Sequence, residues 1–222
     1  MTIDIFIPVI AGNLVKMPAA LYSALTQTYQ DNIRVIIFFD HTHKALESFA
    51  DKWWYTSQDK PRSNILSVPH PTVPKPLTLE YCDRGVLVRN PNGPMGSAGF
   101  ARQWIFEWEG KSKYVKFLDS DDILTPECLY NMMKNMTPEC AGVICPVLFV
   151  SACRCGQVLG AGCSSSSFLF KRETMESIVK DGFEWNRRPG HDRSFTDYLR
   201  ENKEKYIFNE TKENVLYLYL KS

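Results

Sequence analysis

The chain repeats one design three times: a β-branched, apolar run followed at a short distance by a helical pattern. The pairs are Ile3–Ile10 with Leu14–Tyr29, Ile33–Phe39 with Lys44–Gln58, and Tyr114–Leu118 with Pro126–Met136. Near-continuous apolar strands alternating with amphipathic helices predict βαβ units and a Rossmann-like, mostly parallel sheet covered by helices on both faces. A further helix is predicted over Ser97–Glu109, where Ala101, Trp104, Ile105 and Trp108 form one stripe behind Ser97 as cap. Between them, Val68–Leu77 carries Pro69, Pro71, Pro74 and Pro76 and reads as a long, stiff loop. After Val150 come Gly156, Gly160, Gly162 and the serine run Ser164–Ser167, then a short strand Phe168–Lys171. That stretch is expected to be irregular and antiparallel, a short extension finishing an α/β domain.

Composition narrows the class. The 222 residues are 44% hydrophobic and 23% charged, which excludes disordered and collagenous chains. With 26 Lys+Arg against 25 Asp+Glu the formal charge is +1, so no global field recruits nucleic acid or an anionic membrane. The start, Met1–Pro8, has no basic leader region, and the longest apolar stretch, Ala141–Val150, is broken by Pro146 and falls short of the ~18 residues of a spanning helix. The expectation is a cytoplasmic protein without a transmembrane segment. Five of the seven cysteines, Cys140, Cys145, Cys153, Cys155 and Cys163, lie close together but lack the paired C-x2-C spacing of a zinc finger. Core and surface thiols are therefore expected ahead of a structural zinc.

Candidate chemistry lies where apolar strands run into aspartates: Phe38-Phe39-Asp40, and Phe117-Leu118-Asp119-Ser120-Asp121-Asp122. In an open parallel sheet, ligands bind outside the carboxyl ends of the strands, so both acidic groups are expected at the ligand edge. Three carboxylates within four residues repel one another unless a cation shares the site, and hard oxygen ligands suit Mg²⁺ or Mn²⁺. Helix capping is the plainer role, but the following helix has its own start in Thr125, Pro126 and Glu127. An EF-hand is excluded because Leu124 and Tyr130 stand where its glycine and glutamate belong.

These residues, taken in order, resemble the family 2 glycosyltransferases with the GT-A fold. The resemblance rests on Ile7-Pro8-Val9, on Asp40 after a strand, on Asn92-Gly93-Pro94-Met95-Gly96-Ser97-Ala98-Gly99-Phe100-Ala101-Arg102, and on Asp119-Ser120-Asp121-Asp122 with Pro126 and Leu129 downstream. It covers residues 3 to about 135, an expected nucleotide-sugar half (1–135), and leaves 136–222 as an acceptor half of the same domain. It implies a metal-dependent, inverting transfer of a sugar from a nucleotide-diphospho-sugar, UDP-linked by default, to a hydroxyl. On that resemblance Pro8, Val9, Asp40, Gly96, Arg102, Asp119 and Ser120 bind the donor nucleotide. Asp121 and Asp119 hold the Mn²⁺ or Mg²⁺, and Arg102 either supports the diphosphate or forms a structural salt bridge.

The family also places a catalytic aspartate late in the chain, in a Glu-Asp pair opening a helix. Here the match is Gly190-His191-Asp192-Arg193, with a helix expected over Phe195–Asn202, which makes Asp192 the candidate base and His191 the replacement for glutamate. Trp185, His191 and Arg193, with Arg187 and Arg188 nearby, are candidate acceptor contacts: a stacking ring and positive groups suited to a sugar or an anionic acceptor. The expected acceptor is a glycan or polysaccharide hydroxyl, with a modified DNA base less favoured. A Mg²⁺-dependent phosphatase shares the strand-Asp-x-Asp pattern but places it after an early strand, and a non-catalytic nucleotide-sugar-binding module shares the fold.

Overall fold

A computed structural model of the protein describes residues 2–10, 16–29, 32–40, 44, 48, 65–68, 75–82, 85–90, 92, 98–108, 110, 112–150, 157–159, 164–185, 191–211 and 217–220. In chain order the elements are β1 (Thr2–Ile10), α1 (Met17–Leu25), β2 (Asn32–Asp40), β3 (Ile65–Val68), β4 (Leu77–Cys82), β5 (Gly85–Arg89), α2 (Ala98–Glu107), β6 (Tyr114–Phe117), β7 (Ile123–Leu124), α3 (Cys128–Lys134), β8 (Gly142–Ile144) and β9 (Val147–Val150). They continue with β10 (Gln157–Leu159), a 3-10 turn (Ser165–Ser167), β11 (Phe168–Lys171), α4 (Arg172–Lys180), α5 (His191–Glu201), β12 (Phe208–Glu210) and β13 (Tyr217–Leu220).

The main sheet has the order β12-β8-β11-β6-β1-β2-β5-β4-β3. Its centre, β6-β1-β2-β5, is parallel throughout, as the apolar strands predict, and β4 and β11 turn antiparallel at either side. Side chains of β1 alternate between two cores. Ile3, Ile5, Ile7 and Val9 pack with Met17, Ala20 and Leu21 of α1 and Cys128, Leu129 and Met132 of α3. Phe6, with Ile36 and Phe38 of β2, packs with Phe100 and Trp104 of α2, Met175 and Ile178 of α4 and Phe195 of α5. Helices thus cover both faces, which is why the central strands are apolar at nearly every position.

A charged cluster pins the lower edge. Asp4 is fully buried and accepts from Arg34 Nε at 2.8 Å and Nη2 at 3.0 Å, from Arg172 Nη2 at 2.8 Å and from Ser112 Oγ at 2.5 Å. A buried carboxylate persists only with such partners. The cluster ties β1, β2, the approach to β6 and the start of α4 together.

Several expectations are revised. The apolar run Ala141–Val150 is two strands: β8 joins the main sheet and β9 a second sheet of order β10-β9-β13-β7, the break falling at Cys145-Pro146. Proline has no N–H for the ladder, so the chain changes sheets there. β3, β4 and β5 were not anticipated, β3 and β4 meeting the expected loop only at its ends, Val68 and Leu77, and α4 was not anticipated either. Helix α3 starts at Cys128 with Glu127 at its N-cap position and no side-chain cap, so Thr125 and Pro126 precede the helix rather than open it. Helix α5 starts at His191, ahead of the expected Phe195. The expected helix Lys44–Gln58 falls outside the described residues except at positions 44 and 48.

The entry to β5 depends on one glycine. Gly85 has φ +149, and a Cβ there would lie 1.8 Å from the carbonyl oxygen of Val35 on β2. A backbone atom of a central strand cannot yield that far, so Gly85→Ala is expected to lower the unfolding free energy by about 3 kcal/mol or more, read by urea denaturation. An unchanged midpoint would show that β5 docks differently.

Candidate active site

The order of the central strands creates the site. From β1 the chain moves to β2 and β5 on one side and returns to β6 on the other, so the order in which strands are added reverses between β1 and β6, which run parallel. Pairing of these two ends at Phe6 opposite Phe117, with Leu118 N donating to Phe6 O at 3.0 Å. Pro8 and Val9, both buried, continue β1 beyond that point, where the neighbouring strand has left and a missing N–H breaks no ladder. The acidic loop Asp119–Asp122 leaves β6 into this gap, the topological switch point at which open α/β sheets bind ligands.

Each acid of the loop meets a different environment. Asp119 is ion-paired with Arg102 Nη2, the guanidinium being 1% exposed and the carboxylate 20%. The Arg102 guanidinium also stands 5.4 Å from the centroid of the Trp185 ring. Asp121 is half-buried; burial first, then repulsion from Asp119, hold its carboxyl above the ordinary carboxylate value, against the opposing pull of its backbone hydrogen bond and of Lys16. Asp122 is buried, its N–H donating to Asp119 O at 3.0 Å to close the turn. Between them the Ser120 hydroxyl, 1% exposed, finds no hydrogen-bond partner among the described residues.

The serine run supports this loop. Ser166 Oγ accepts from Asp119 N at 3.1 Å, and Lys116, fully buried on β6, donates to Phe117 O at 2.9 Å and to Ser166 O. Lys116 therefore clamps the end of β6 to the 3-10 turn, whose Ser165 hydroxyl, also fully buried, has no partner among the described residues. Asp40 ends β2 at the same edge, fully buried, and accepts from Asn90 Nδ2 at 2.9 Å. Asn90 Oδ1 in turn accepts from Asn92 N at 3.0 Å, and Asn92 spans to the backbone of Lys75.

The structure thus brings Pro8, Val9, Asp40, Arg102, Asp119, Ser120 and Asp121 to one edge, while Gly96 and Ser97 lie outside the described residues. His191, Asp192 and Arg193 form the first turn of α5. That turn precedes Phe195, whose ring packs 5.9 Å from Phe168 beside the serine turn, so Asp192 stands on an element fixed to the acidic edge. Trp185 corrects an expectation. It is 4% exposed, with its ring centroid 4.4 Å from Phe195 and 5.6 Å from Phe106, and offers an acceptor no open face. Its observed role is to back Arg102. Sequence reasoning missed Lys116, Ser166, Asn90 and Lys16; a lysine inside the apolar run Tyr114–Leu118 was the available signal for the first.

Metal ligation is economical. Among the described residues no group of three or more His, Cys, Asp or Glu converges to hold an ion. A Mg²⁺-type ion needs only one or two protein carboxylates when substrate phosphates supply other ligands, and the mutual repulsion of Asp119 and Asp121, with the orphaned Ser120 hydroxyl between them, fits that arrangement. Cys128, Cys140 and Cys145 are free and buried, while Cys153, Cys155 and Cys163 lie outside the described residues. A cavity of about 580 Å³ lined by Phe106, Glu107, Trp108, Glu176 and Lys180 lies near Gly110, where the chain approaches the start of β6, away from the acidic loop that follows its end. Among the described residues no helix is long and apolar enough to cross a membrane.

This architecture, an α/β sheet with a parallel centre and antiparallel flanks, is a GT-A fold shared with solved glycosyltransferase structures. Among solved structures, S. aureus TarS 1–349 superposes with a TM-score of 0.62 at 11% identity over 98% of this chain and 60% of that one. Its complex with UDP-GlcNAc gives 0.66 at 12% identity, over 100% and 59%. The mannosyltransferase PcManGT from Pyrobaculum calidifontis, in complex with GDP-Man and Mn²⁺, gives 0.56 at 16% identity, over 98% and 56%. The chain spans about three-fifths of the length of these structures. No protein-family model and no curated protein matches the sequence.

Two outcomes follow from the site's electrostatics. Arg102→Met removes the charge that pairs with Asp119 among the described residues and should cost about 3 kcal/mol of stability, measured by denaturation. Full retention of stability would mean that solvent already screens Asp119. For Asp121 the folded-state pKa exceeds the unfolded one, so its ionisation opposes folding; the penalty is complete above the folded value and fades as pH falls through it. Without added cation, Asp121→Asn should therefore melt at or above the wild type at pH 7, the difference shrinking as pH falls towards the ordinary carboxylate range. A lower melting point at pH 7 would show that Asp121 is stabilising instead.

Proposed function

We propose that the chain is a cation-dependent, inverting glycosyltransferase that moves a sugar from a nucleotide-diphospho-sugar, UDP-linked in the first instance, to the hydroxyl of a glycan or other acceptor in the cytoplasm. The observation that carries this reading is the pair Asp119 and Asp121 at the switch point of a GT-A sheet, one held by Arg102 and the other left electrostatically unsatisfied. The neighbouring structures with UDP-GlcNAc, and with GDP-Man and Mn²⁺, support the ligand class.

In this reading residues 1–135 form the donor half and 136–222 the acceptor half. Pro8, Val9, Asp40, Gly96 and Ser120 line the nucleotide, and Arg102 fixes Asp119. Asp121, with Asp119, would hold Mn²⁺ or Mg²⁺, which when bound neutralises the charge that develops on the departing diphosphate. Asp192 takes the proton of the acceptor hydroxyl as that oxygen bonds to the anomeric carbon. The bond from that carbon to the diphosphate breaks on the opposite face, and the nucleoside diphosphate leaves. His191 and Arg193 flank the acceptor. The serine turn, anchored by Lys116, keeps the donor loop and the start of α5 at a fixed separation.

The test is thermal stability against UDP and GDP, each with and without Mn²⁺. At about 100 times its dissociation constant, a ligand bound only by the folded state adds about 2.7 kcal/mol, a shift of several degrees. One nucleotide is expected to stabilise the wild type only with Mn²⁺, and Asp121→Asn should abolish the shift. No shift with either nucleotide would overturn the reading. With a donor identified, Asp192→Asn should then lower turnover by about a hundredfold or more while leaving nucleotide binding intact.

A further inference from the structure

Asp40 ends β2, fully buried, at the same edge of the sheet as the acidic loop. The parallel register that sets Phe38 opposite Val88 and Phe39 opposite Arg89 brings Asn90, just past the end of β5 and also buried, beside it. Asn90 Nδ2 donates to Asp40 Oδ1 at 2.9 Å, and Asn90 Oδ1 accepts from Asn92 N at 3.0 Å and from Asn92 Nδ2 at 2.9 Å. Asn92 closes on the backbone of Lys75, its Oδ1 accepting from Lys75 N at 2.8 Å and its Nδ2 donating to Lys75 O at 2.9 Å. A polar chain thus runs from the approach to β4, past the end of β5, to the end of β2.

Backbone amides fix the sense of this chain. The N–H groups of Lys75 and Asn92 can only donate, so the atoms they meet are the amide oxygens of Asn92 and Asn90, and the amino group of Asn90 must face Asp40. Three donors in series, Lys75 N, Asn92 Nδ2 and Asn90 Nδ2, therefore point one way and end on a carboxylate, an arrangement in which each bond polarises the next. Such a network holds one geometry, and it lies at the carboxyl ends of parallel strands, where an open sheet meets its ligand. Strand spacing sets which part of a ligand arrives there. β1 separates β6 from β2, and neighbouring strands lie about 4.8 Å apart, so the end of β2 is roughly 10 Å from the acidic loop that follows β6. A diphosphate at that loop would carry its nucleoside across β1 towards the ends of β2 and β5.

On the reading given under Proposed function, we propose that Asn90 is a positioning residue for the nucleoside end of the donor: it ties Asp40 to Asn92 and so fixes the floor on which the nucleoside lies, while the acidic loop holds the diphosphate. Because Asp40 and Asn90 are both buried, Asn90 acts through the shape of that floor and touches no reacting atom. The substrate chemistry it serves is a nucleoside diphosphate, in preference to a bare diphosphate. Asparagine suits the task because one amide donates to the carboxylate and accepts two N–H groups on its other side. Leucine keeps the volume but removes a donor from a buried carboxylate and an acceptor from Asn92.

The experiment is calorimetric titration of wild type, Asn90→Leu and Asn92→Ala with Mn²⁺ alone, and then, in saturating Mn²⁺, with UDP, GDP and inorganic pyrophosphate. Asn90→Leu should weaken the nucleotide that wild type binds at least about tenfold, and Asn92→Ala, which breaks the chain one link further out, by a smaller factor. Binding of Mn²⁺ alone and of pyrophosphate should stay at the wild-type level in both variants. A loss of Mn²⁺ or pyrophosphate binding in parallel with the nucleotide would overturn the proposal, since it marks a general structural role. If Asn90→Leu does not fold, Asn92→Ala decides by the same criterion. Nucleotide binding equal to wild type in the variants would overturn this proposal alone and leave the nucleotide-sugar reading standing. If wild type binds neither UDP nor GDP, that reading fails and this proposal fails with it.

Discussion

The buried guanidinium of Arg102 is the constraint around which the upper half of the molecule is arranged. It lies mid-way along α2, 1% exposed, and must be neutralised and hydrogen-bonded where it stands. Asp119 supplies the charge, and the Trp185 ring supplies a π face at 5.4 Å. That ring is held in turn by Phe106 of α2, Phe117 of β6 and Phe195 of α5. One ion pair therefore requires α2, the end of β6 and α5 to meet at fixed spacing. Apolar residues of similar volume replacing both Arg102 and Asp119 would ordinarily serve stability as well as a buried ion pair does, so the retention of the charged pair points to positioning of the acidic loop.

A second constraint follows from the strand order. The gap above Phe6 and Phe117 lets the acidic loop leave the sheet, but it also exposes the last carbonyls of β6. Lys116 satisfies one of them and reaches across to Ser166, whose hydroxyl accepts from Asp119 N. Fully burying an ammonium is expensive in isolation and tolerable only where carbonyl dipoles converge on it. The serine turn is thus part of the loop's support, and the strand that follows, β11, enters the sheet antiparallel to β6. The end of β6, the acidic loop and the serine turn are coupled through these few polar contacts.

Legibility in the sequence followed burial. Strands β1, β2 and β6 are covered on both faces and read as largely apolar runs, so they and the aspartates at or just after the ends of β2 and β6 were visible. β5 is equally central, but its five residues begin at a glycine needed for close approach to Val35 and end at Arg89, which pairs with Glu80. No periodic signal survives in so short a segment. The run around Pro146 was continuous in hydrophobicity and discontinuous in structure, because hydropathy does not record which sheet receives the ladder hydrogen bonds. Helix α4 was hidden by Arg172, which reads as a surface residue but is the buried partner of Asp4. Trp185 was misread for the converse reason: its basic sequence neighbours suggested an exposed ring, while the aromatic groups that bury it come from positions 106, 117 and 195.

The candidate site shows most clearly how local identity and environment separate. Asp119 and Asp121 are the same residue type two positions apart in one loop, and the sequence could only place both at the ligand edge. The fold divides them: the first is consumed by an internal ion pair, and the second is pushed towards protonation by burial and by the first. A loop whose acids were both satisfied internally would gain stability and lose any electrostatic draw on an external cation. A loop with neither satisfied would be repelled from the sheet edge that positions it. Holding one acid rigidly so that the other remains frustrated is the arrangement in which an arriving positive charge gains most, and it places that gain beside the unpartnered hydroxyl of Ser120.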